Sequence, residues 1–273
     1  MLRRSFRFAA LLGSSALMLP GALCSRALAL LGAERAALRS AAFVQHLWGR
    51  AILLVLGVEL ELEGTPPAGA CVVVANHVSY LDIAVLASHF PGRFVAKSEI
   101  AGWPVLGPMA ATVGTIFVVQ KRRRDVVRVE PEMARTLAAG VSVVLFPEGH
   151  STRGLGVDRF HSSLLESAVR GRAPCLAVAL SYETPSDPWA PAATVCWWGG
   201  MRFWRHAWTL VGLRRIVVSV RFAPVLRRGS DRKALAEELR HDLLERFVPV
   251  RQAPIAPDYP WPELFAKAAG SGS

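Results

Sequence analysis

The first chemistry the sequence offers is a histidine and an aspartate just past an apolar run. Residues 72–82 read VVVANHVSYLD, so Asn76 breaks the run, His77 follows at once, and Asp82 stands five positions further on. A short apolar run ended by a turn-forming residue is a buried-strand signature. It brings an imidazole to a strand exit and a carboxylate into the following turn. With Asp82 in a first helical turn, the carboxylate can fold back onto one ring nitrogen. The other nitrogen is then free to take a proton from a hydroxyl. The same spacing also fits a capped turn around a satisfied histidine, and spacing alone leaves both readings open.

Three further stretches carry polar groups at the end of an apolar run. Residues 114–119 (GTIFVV) lead through Gln120 into Lys121, Arg122, Arg123 and Arg124, a cationic cluster able to hold a phosphate. Residues 143–152 (VVLFPEGHST) pass from a strand into Pro147, Glu148 and Gly149. There a glycine lets backbone approach a ligand closely, and a carboxylate can meet a hydroxyl or an ammonium. Residues 174–182 are a proline followed by a long apolar strand. Each of these has a plain structural reading as well: a solvated basic turn, a tight turn, and core.

Alternating strand and helix patterns must position these groups. Strands are expected at 58–63, 71–75, 93–96, 115–119, 142–146, 175–182, 194–198 and 215–222. Helices are expected at 81–89, 103–110, 125–138, 160–169, 201–211 and 231–247, the last with Ser230 as N-cap. This order implies an α/β fold, a mixed sheet flanked by helices on both faces. Residues 1–56 are expected to form a membrane-associated helical segment, 57–250 the main domain, and 251–273 an extended tail. Within the first segment, Arg3, Arg4 and Arg7 precede an apolar stretch interrupted by Pro20, which suits an uncleaved anchor or a re-entrant helical hairpin. Residues 33–56 alternate arginine with apolar positions, as a helix in the membrane interface does.

Composition narrows the partner. A net charge of +11 and a pI near 10.5 call for a polyanion, while 52% hydrophobic residues and a mean hydropathy of +0.32 favour a membrane surface over nucleic acid. Residues 199–229 carry seven arginines among Trp204 and Trp208 with no acidic residue, which suits an anionic lipid interface. No nucleic-acid motif accompanies the charge. Cys24, Cys71, Cys175 and Cys196 show no paired or metal-ligand spacing, so a reducing compartment with neither disulfide nor zinc is expected.

Taken in order, Asn76-His77-x4-Asp82, Gly114-x-x-Phe117, Phe146-Pro147-Glu148-Gly149 and the strand after Pro174 resemble the glycerolipid acyltransferase family that includes 1-acylglycerol-3-phosphate acyltransferase. The resemblance spans about residues 45–225. It implies acyl transfer from acyl-CoA or acyl carrier protein to the free hydroxyl of a lysolipid, with no cofactor, at the cytoplasmic face of the inner membrane. His77 matches the family's general base and Asp82 the group that orients it. The implied substrate-binding set is Gly114, Phe117, Lys121, Arg122, Pro147, Glu148, Gly149 and Arg153, with Glu148 and Gly149 at the acceptor's glycerol-phosphate end. Two departures bear on the acceptor. Gln120 stands where many members place an arginine, and His150 and Ser151 follow Gly149 where many read Thr and then Arg or Ser. The cluster 121–124 and Arg153 can replace the missing charge. Alternatively, the acceptor is lyso-ornithine lipid or another lysolipid. A non-catalytic basic protein bound to the membrane surface is the alternative from a different class.

Overall fold

A computed structural model of the chain describes residues 2–103, 106–119 and 123–253. Gln120, Lys121, Arg122 and most of the expected tail lie outside the described residues.

In chain order the helices are α1 (Leu2–Leu17), α2 (Leu19–Leu30), α3 (Glu34–Leu56), α4 (Leu81–Ala87), α5 (Leu106–Thr112), α6 (Arg123–Ala138), α7 (Glu166–Arg170), α8 (Pro191–Thr194), α9 (Phe203–Leu210) and α10 (Arg232–Leu244). The strands are β1 (Val58–Glu63), β2 (Val72–Ala75), β3 (Gly92–Lys97), β4 (Ile116–Val118), β5 (Ser142–Leu145), β6 (Cys175–Glu183) and β7 (Ile216–Phe222). They form a mixed sheet in the order β1-β7-β6-β2-β5-β3-β4, parallel throughout except for the antiparallel β6–β7 pair. Strands β2 and β5 are entirely buried, which is why they read as unbroken valine-rich runs.

The connections out of β2 and β5 leave in opposite directions. From β2 the chain passes beyond β5 to reach β3, whereas from β5 it crosses back beyond β2 to reach β6. A crevice opens at the carboxyl ends of two neighbouring strands where their connections diverge in this way. His77 leaves β2 at that point, and Phe146–Gly149 leave β5.

At the edge, β1 alternates as expected, and its acidic side chains face arginines of and beside β7. Glu59 pairs with Arg215 at 2.6 Å and Glu63 with Arg221 at 2.9 Å. Arg227 pairs with Asp242 at 2.7 Å. Three of the arginines expected at a lipid surface are therefore held in internal ion pairs. Glu59 and Glu63 lie 156 and 158 residues from their partners, and Asp242 lies past the end of the stretch, so the stretch by itself reads as uncompensated.

Residues 194–198 are not a strand. Pro191 opens the helical turn α8, and the chain then runs irregularly through Trp198. A proline suits the first turn of a helix, where its missing N–H is not needed. The N-cap of α10 is Asp231, not Ser230, with Oδ1 accepting from Lys233 N at 2.9 Å and Ala234 N at 2.8 Å.

The N-terminal helices lie against the domain. Helix α3 packs on α4 and touches β1 and β3, and its Ile52, Leu53 and Leu56 join the main core. At Gly49 a Cβ would stand 2.7 Å from the Ala84 carbonyl oxygen, so only glycine allows this approach of α3 to α4. After a short turn at residues 31–33, α2 and α3 pack together, with Ser25 Oγ donating to Ser40 Oγ at 2.9 Å. Trp48 Nε1 donates to Ser15 Oγ at 3.1 Å. Arg3 donates to the Gly212 carbonyl and Arg7 to that of Leu213 at 2.5 Å, which ties the start of α1 to the loop after α9.

Candidate active site

The site begins where β2 stops. Asn76 turns the backbone away, and its side chain takes up the pairing with β6, accepting from Leu180 N at 2.7 Å and donating to Leu180 O at 3.0 Å. His77 is next. Both its backbone groups are taken by the loop that leaves β5: its N–H donates to Glu148 Oε1 at 2.7 Å, and its carbonyl accepts from Thr152 N at 2.9 Å. The Val78 carbonyl accepts from Trp197 N at 2.8 Å, and Ser151 Oγ donates to the Trp197 carbonyl. The residue 76–82, 147–152 and 196–198 segments are thus tied together by hydrogen bonds.

Asp82 lies in the first turn of α4 and is fully buried. Its Oδ2 accepts from Val78 N at 2.8 Å and Ser79 N at 2.9 Å, and stands 2.7 Å from His77 Nδ1. Its Oδ1 accepts from Tyr182 Oη at 2.6 Å. Oδ2 already accepts two backbone N–H groups, so Nδ1 meets it as a donor, and the neutral ring in that tautomer carries its lone pair on Nε2. Phe146 stacks on the imidazole with centroids 4.2 Å apart and planes at 21°. The ring is fixed on one edge and one face, yet His77 keeps 18% of its side chain exposed where Asp82 keeps none. An oriented, partly accessible imidazole backed by a buried carboxylate can accept a hydroxyl proton and be stabilised as imidazolium.

Glu148 is 1% exposed, and both its oxygens serve backbone: Oε1 the N–H of His77, and Oε2 that of Asp158 at 2.8 Å. Burial pushes its carboxyl up to about 7, against the downward pull of those two N–H groups. Pro147 is buried beside it, and its carbonyl accepts from His161 N at 2.8 Å. Gly149 has φ +75°, a left-handed conformation that favours glycine, and closes the turn with its N–H on the Phe146 carbonyl at 3.0 Å. Arg153 is exposed and lies over the Trp198 ring at 4.6 Å.

Gly114 and Phe117 sit elsewhere along the sheet. Phe117 is on β4, separated from β2 by β3 and β5. The Gly114 carbonyl accepts from Arg93 Nε at 2.6 Å, and Arg93 also reaches Thr136 Oγ1 at 3.1 Å. Gly114, Arg93 and Glu132 line a crevice of about 270 Å³ that α2 and α3 also border.

Sequence reading did not single out Tyr182, Arg93 or the stacking role of Phe146. The available signal for Tyr182 was a hydroxyl, beside that of Ser181, following a run of apolar strand residues, since buried hydroxyls require partners. The cysteines at the core are held as thiols, with burial pushing Cys71 up to about 11 and Cys175 up to about 12.

Comparison with known proteins gives the family by sequence and the fold by structure. The Acyltransferase family pattern matches residues 58–181. A protein of Neisseria meningitidis serogroup B named 1-acyl-sn-glycerol-3-phosphate acyltransferase is 34% identical over 201 residues, covering 71% of this chain and 77% of the relative. A lyso-ornithine lipid O-acyltransferase of Pseudomonas aeruginosa is 31% identical over 192 residues, covering 70% of this chain and 73% of the relative. The crystal structure of a 1-acyl-sn-glycerophosphate acyltransferase from Thermotoga maritima shares the fold, with a TM-score of 0.55 at 18% identity, covering 85% of this chain and 94% of that one.

Proposed function

We propose that this chain, which belongs to the 1-acylglycerol-3-phosphate acyltransferase-like family and is an acyltransferase, transfers an acyl group from acyl-CoA or acyl carrier protein to the free hydroxyl of 1-acylglycerol-3-phosphate, forming phosphatidic acid. One observation carries the reading: the 2.7 Å contact of His77 Nδ1 with a buried carboxylate, on a ring whose backbone and face are also fixed. His77 Nε2 takes the acceptor's hydroxyl proton as that oxygen attacks the thioester carbonyl. The tetrahedral intermediate then collapses, breaking the carbon–sulfur bond, and the imidazolium returns the proton to the leaving thiolate. Asp82 holds the ring tautomer and offsets the imidazolium charge. A thioester is already activated, so the step needs neither a protein nucleophile nor a resident cofactor.

Glu148 acts here as a positioning group. With both oxygens on backbone N–H groups and almost no exposed surface, it has little left to offer an acceptor. Gly149, Pro147 and the cationic Arg153 form the neighbouring loop, and Lys121 and Arg122 supply phosphate charge in this reading.

A second acceptor, lyso-ornithine lipid, is favoured by Gln120, an uncharged residue where many relatives carry an arginine. The similarity to the Pseudomonas protein supports it as well.

The enzyme works from the cytoplasmic leaflet of the inner membrane. Helices α1 and α2 together, residues 2–30, make a stretch long and apolar enough to cross a bilayer, and Leu2, Phe6, Leu12, Leu17 and Leu23 on it are exposed. Because Arg3, Arg7 and Ser15 are tied to the rest of the chain, the reading is a helix lying in one leaflet and not one crossing both.

An acceptor panel tests this function. Purified enzyme is given lysophosphatidate, lyso-ornithine lipid and lysophosphatidylglycerol, each with acyl-CoA and with acylated carrier protein. Lysophosphatidate is expected to give the highest kcat/KM. Preference for lyso-ornithine lipid by tenfold or more selects the second reading, and no transfer to any lysolipid contradicts both.

A further inference from the structure

Asp82 has two oxygens, and the reaction as described uses only one. Oδ2 meets His77 and two backbone N–H groups, whereas Oδ1 receives the Tyr182 hydroxyl at 2.6 Å. Tyr182 comes from β6, one hundred residues away, and is fully buried. Its presence there is costly: phenylalanine would fill the same volume without taking a hydroxyl out of water. Register explains how the group arrives. Strand β2 pairs with β6 from Val72 and Cys175 as far as Ala75 and Val178, after which the Asn76 side chain and Leu180 make the last link. Two residues further along β6, Tyr182 reaches the space occupied by the loop from β2 to α4.

We propose that Tyr182 is a positioning residue of the His77–Asp82 pair, its hydroxyl fixing the carboxylate plane so that Oδ2 faces Nδ1. Backbone donors on Oδ2 alone leave the carboxylate free to swing about that atom, and a second anchor on Oδ1 removes the motion. The hydroxyl also withdraws charge from the carboxylate and so tempers the basicity of the ring beyond it. Among the described residues, the other titratable groups acting on this carboxylate are Cys196 and Glu148; burial keeps the Cys196 thiol protonated. The proposal rests on His77 acting as the base.

Tyr182→Phe tests it, measured beside His77→Ala so that the two readings fail separately. Tyr182→Phe is expected to lower kcat roughly tenfold, the rate equivalent of one charge-assisted hydrogen bond. Both KM values are expected to stay within twofold of wild type. The acid limb of the kcat/KM profile is expected to move to higher pH, because Asp82 without its donor holds the imidazolium more tightly. Thermal melting of each variant reports whether the fold is kept. Wild-type kcat with a superimposable pH profile overturns the proposal, as does a loss confined to KM or to the melting midpoint. An active His77→Ala enzyme instead removes the base assignment on which the proposal depends.

Discussion

The side chain of Asn76 pairs with the backbone of Leu180 as a strand residue would, accepting its N–H at 2.7 Å and donating to its carbonyl at 3.0 Å. This two-point contact continues the β2–β6 ladder after the backbone of β2 has turned away, and so sets where His77 begins. Asn76→Asp turns one favourable contact into an oxygen facing the Leu180 carbonyl. The substitution is expected to destabilise the fold by about 2–3 kcal/mol, the cost of an unsatisfied buried polar group with added charge. It is also expected to reduce kcat by at least tenfold. Thermal melting and initial rates check both; an unchanged midpoint contradicts this role.

Glu148 gives a pH dependence of unusual sign. Its folded-state carboxyl is pushed up to about 7, above the ordinary 4.5. Between those values the folded protein holds a proton that the unfolded chain releases, so this group's contribution to stability falls as pH rises from 4.5 to 7. The effect is on the order of 3 kcal/mol. Glu148→Gln removes the titration, although its amide must face a backbone donor. The difference in melting midpoint, wild type minus variant, is expected to shrink from pH 5 to pH 8. A difference that grows over that range contradicts the burial-dominated account.

The aromatic surface of α9 carries a prediction about the membrane. Trp204 and Trp208 are exposed, and Phe8 of α1 meets both edge-on at 6.5 and 6.1 Å. Apolar α1 and α9 therefore form one face suited to a lipid interface. Vesicles rich in anionic lipid with brominated acyl chains are expected to quench tryptophan emission, and Trp204→Ala with Trp208→Ala together to remove about half of that quenching. Unchanged quenching in the double variant excludes α9 from the lipid contact.

Much of the fold was legible because β2 and β5 are buried on both faces and read as plain apolar runs. The His77–Asp82 pairing was legible because it is local. Glu148 and Tyr182 were harder. Their partners lie 71 and 100 residues away, and only the parallel register of β2 with β5 and β6 brings them together. Glu148 looked like a ligand-facing carboxylate because nothing local shows that two backbone N–H groups occupy it. Residues 194–198 misled for a related reason: an apolar run marks burial, and Pro191 three residues earlier decided the conformation. Arg215, Arg221 and Arg227 read as free because Glu59, Glu63 and Asp242 answer them from outside the 199–229 stretch.

In the proposed mechanism His77 accepts the acceptor's proton. His77→Ala leaves the backbone contacts of residue 77 with Glu148 and Thr152 available, so the fold and vesicle binding are expected to persist. Acyl-CoA-dependent acylation of lysophosphatidate, or of whichever lysolipid the panel selects, is expected to fall by about 10²–10⁴ in kcat. A folded His77→Ala enzyme that acylates at the wild-type rate contradicts the account.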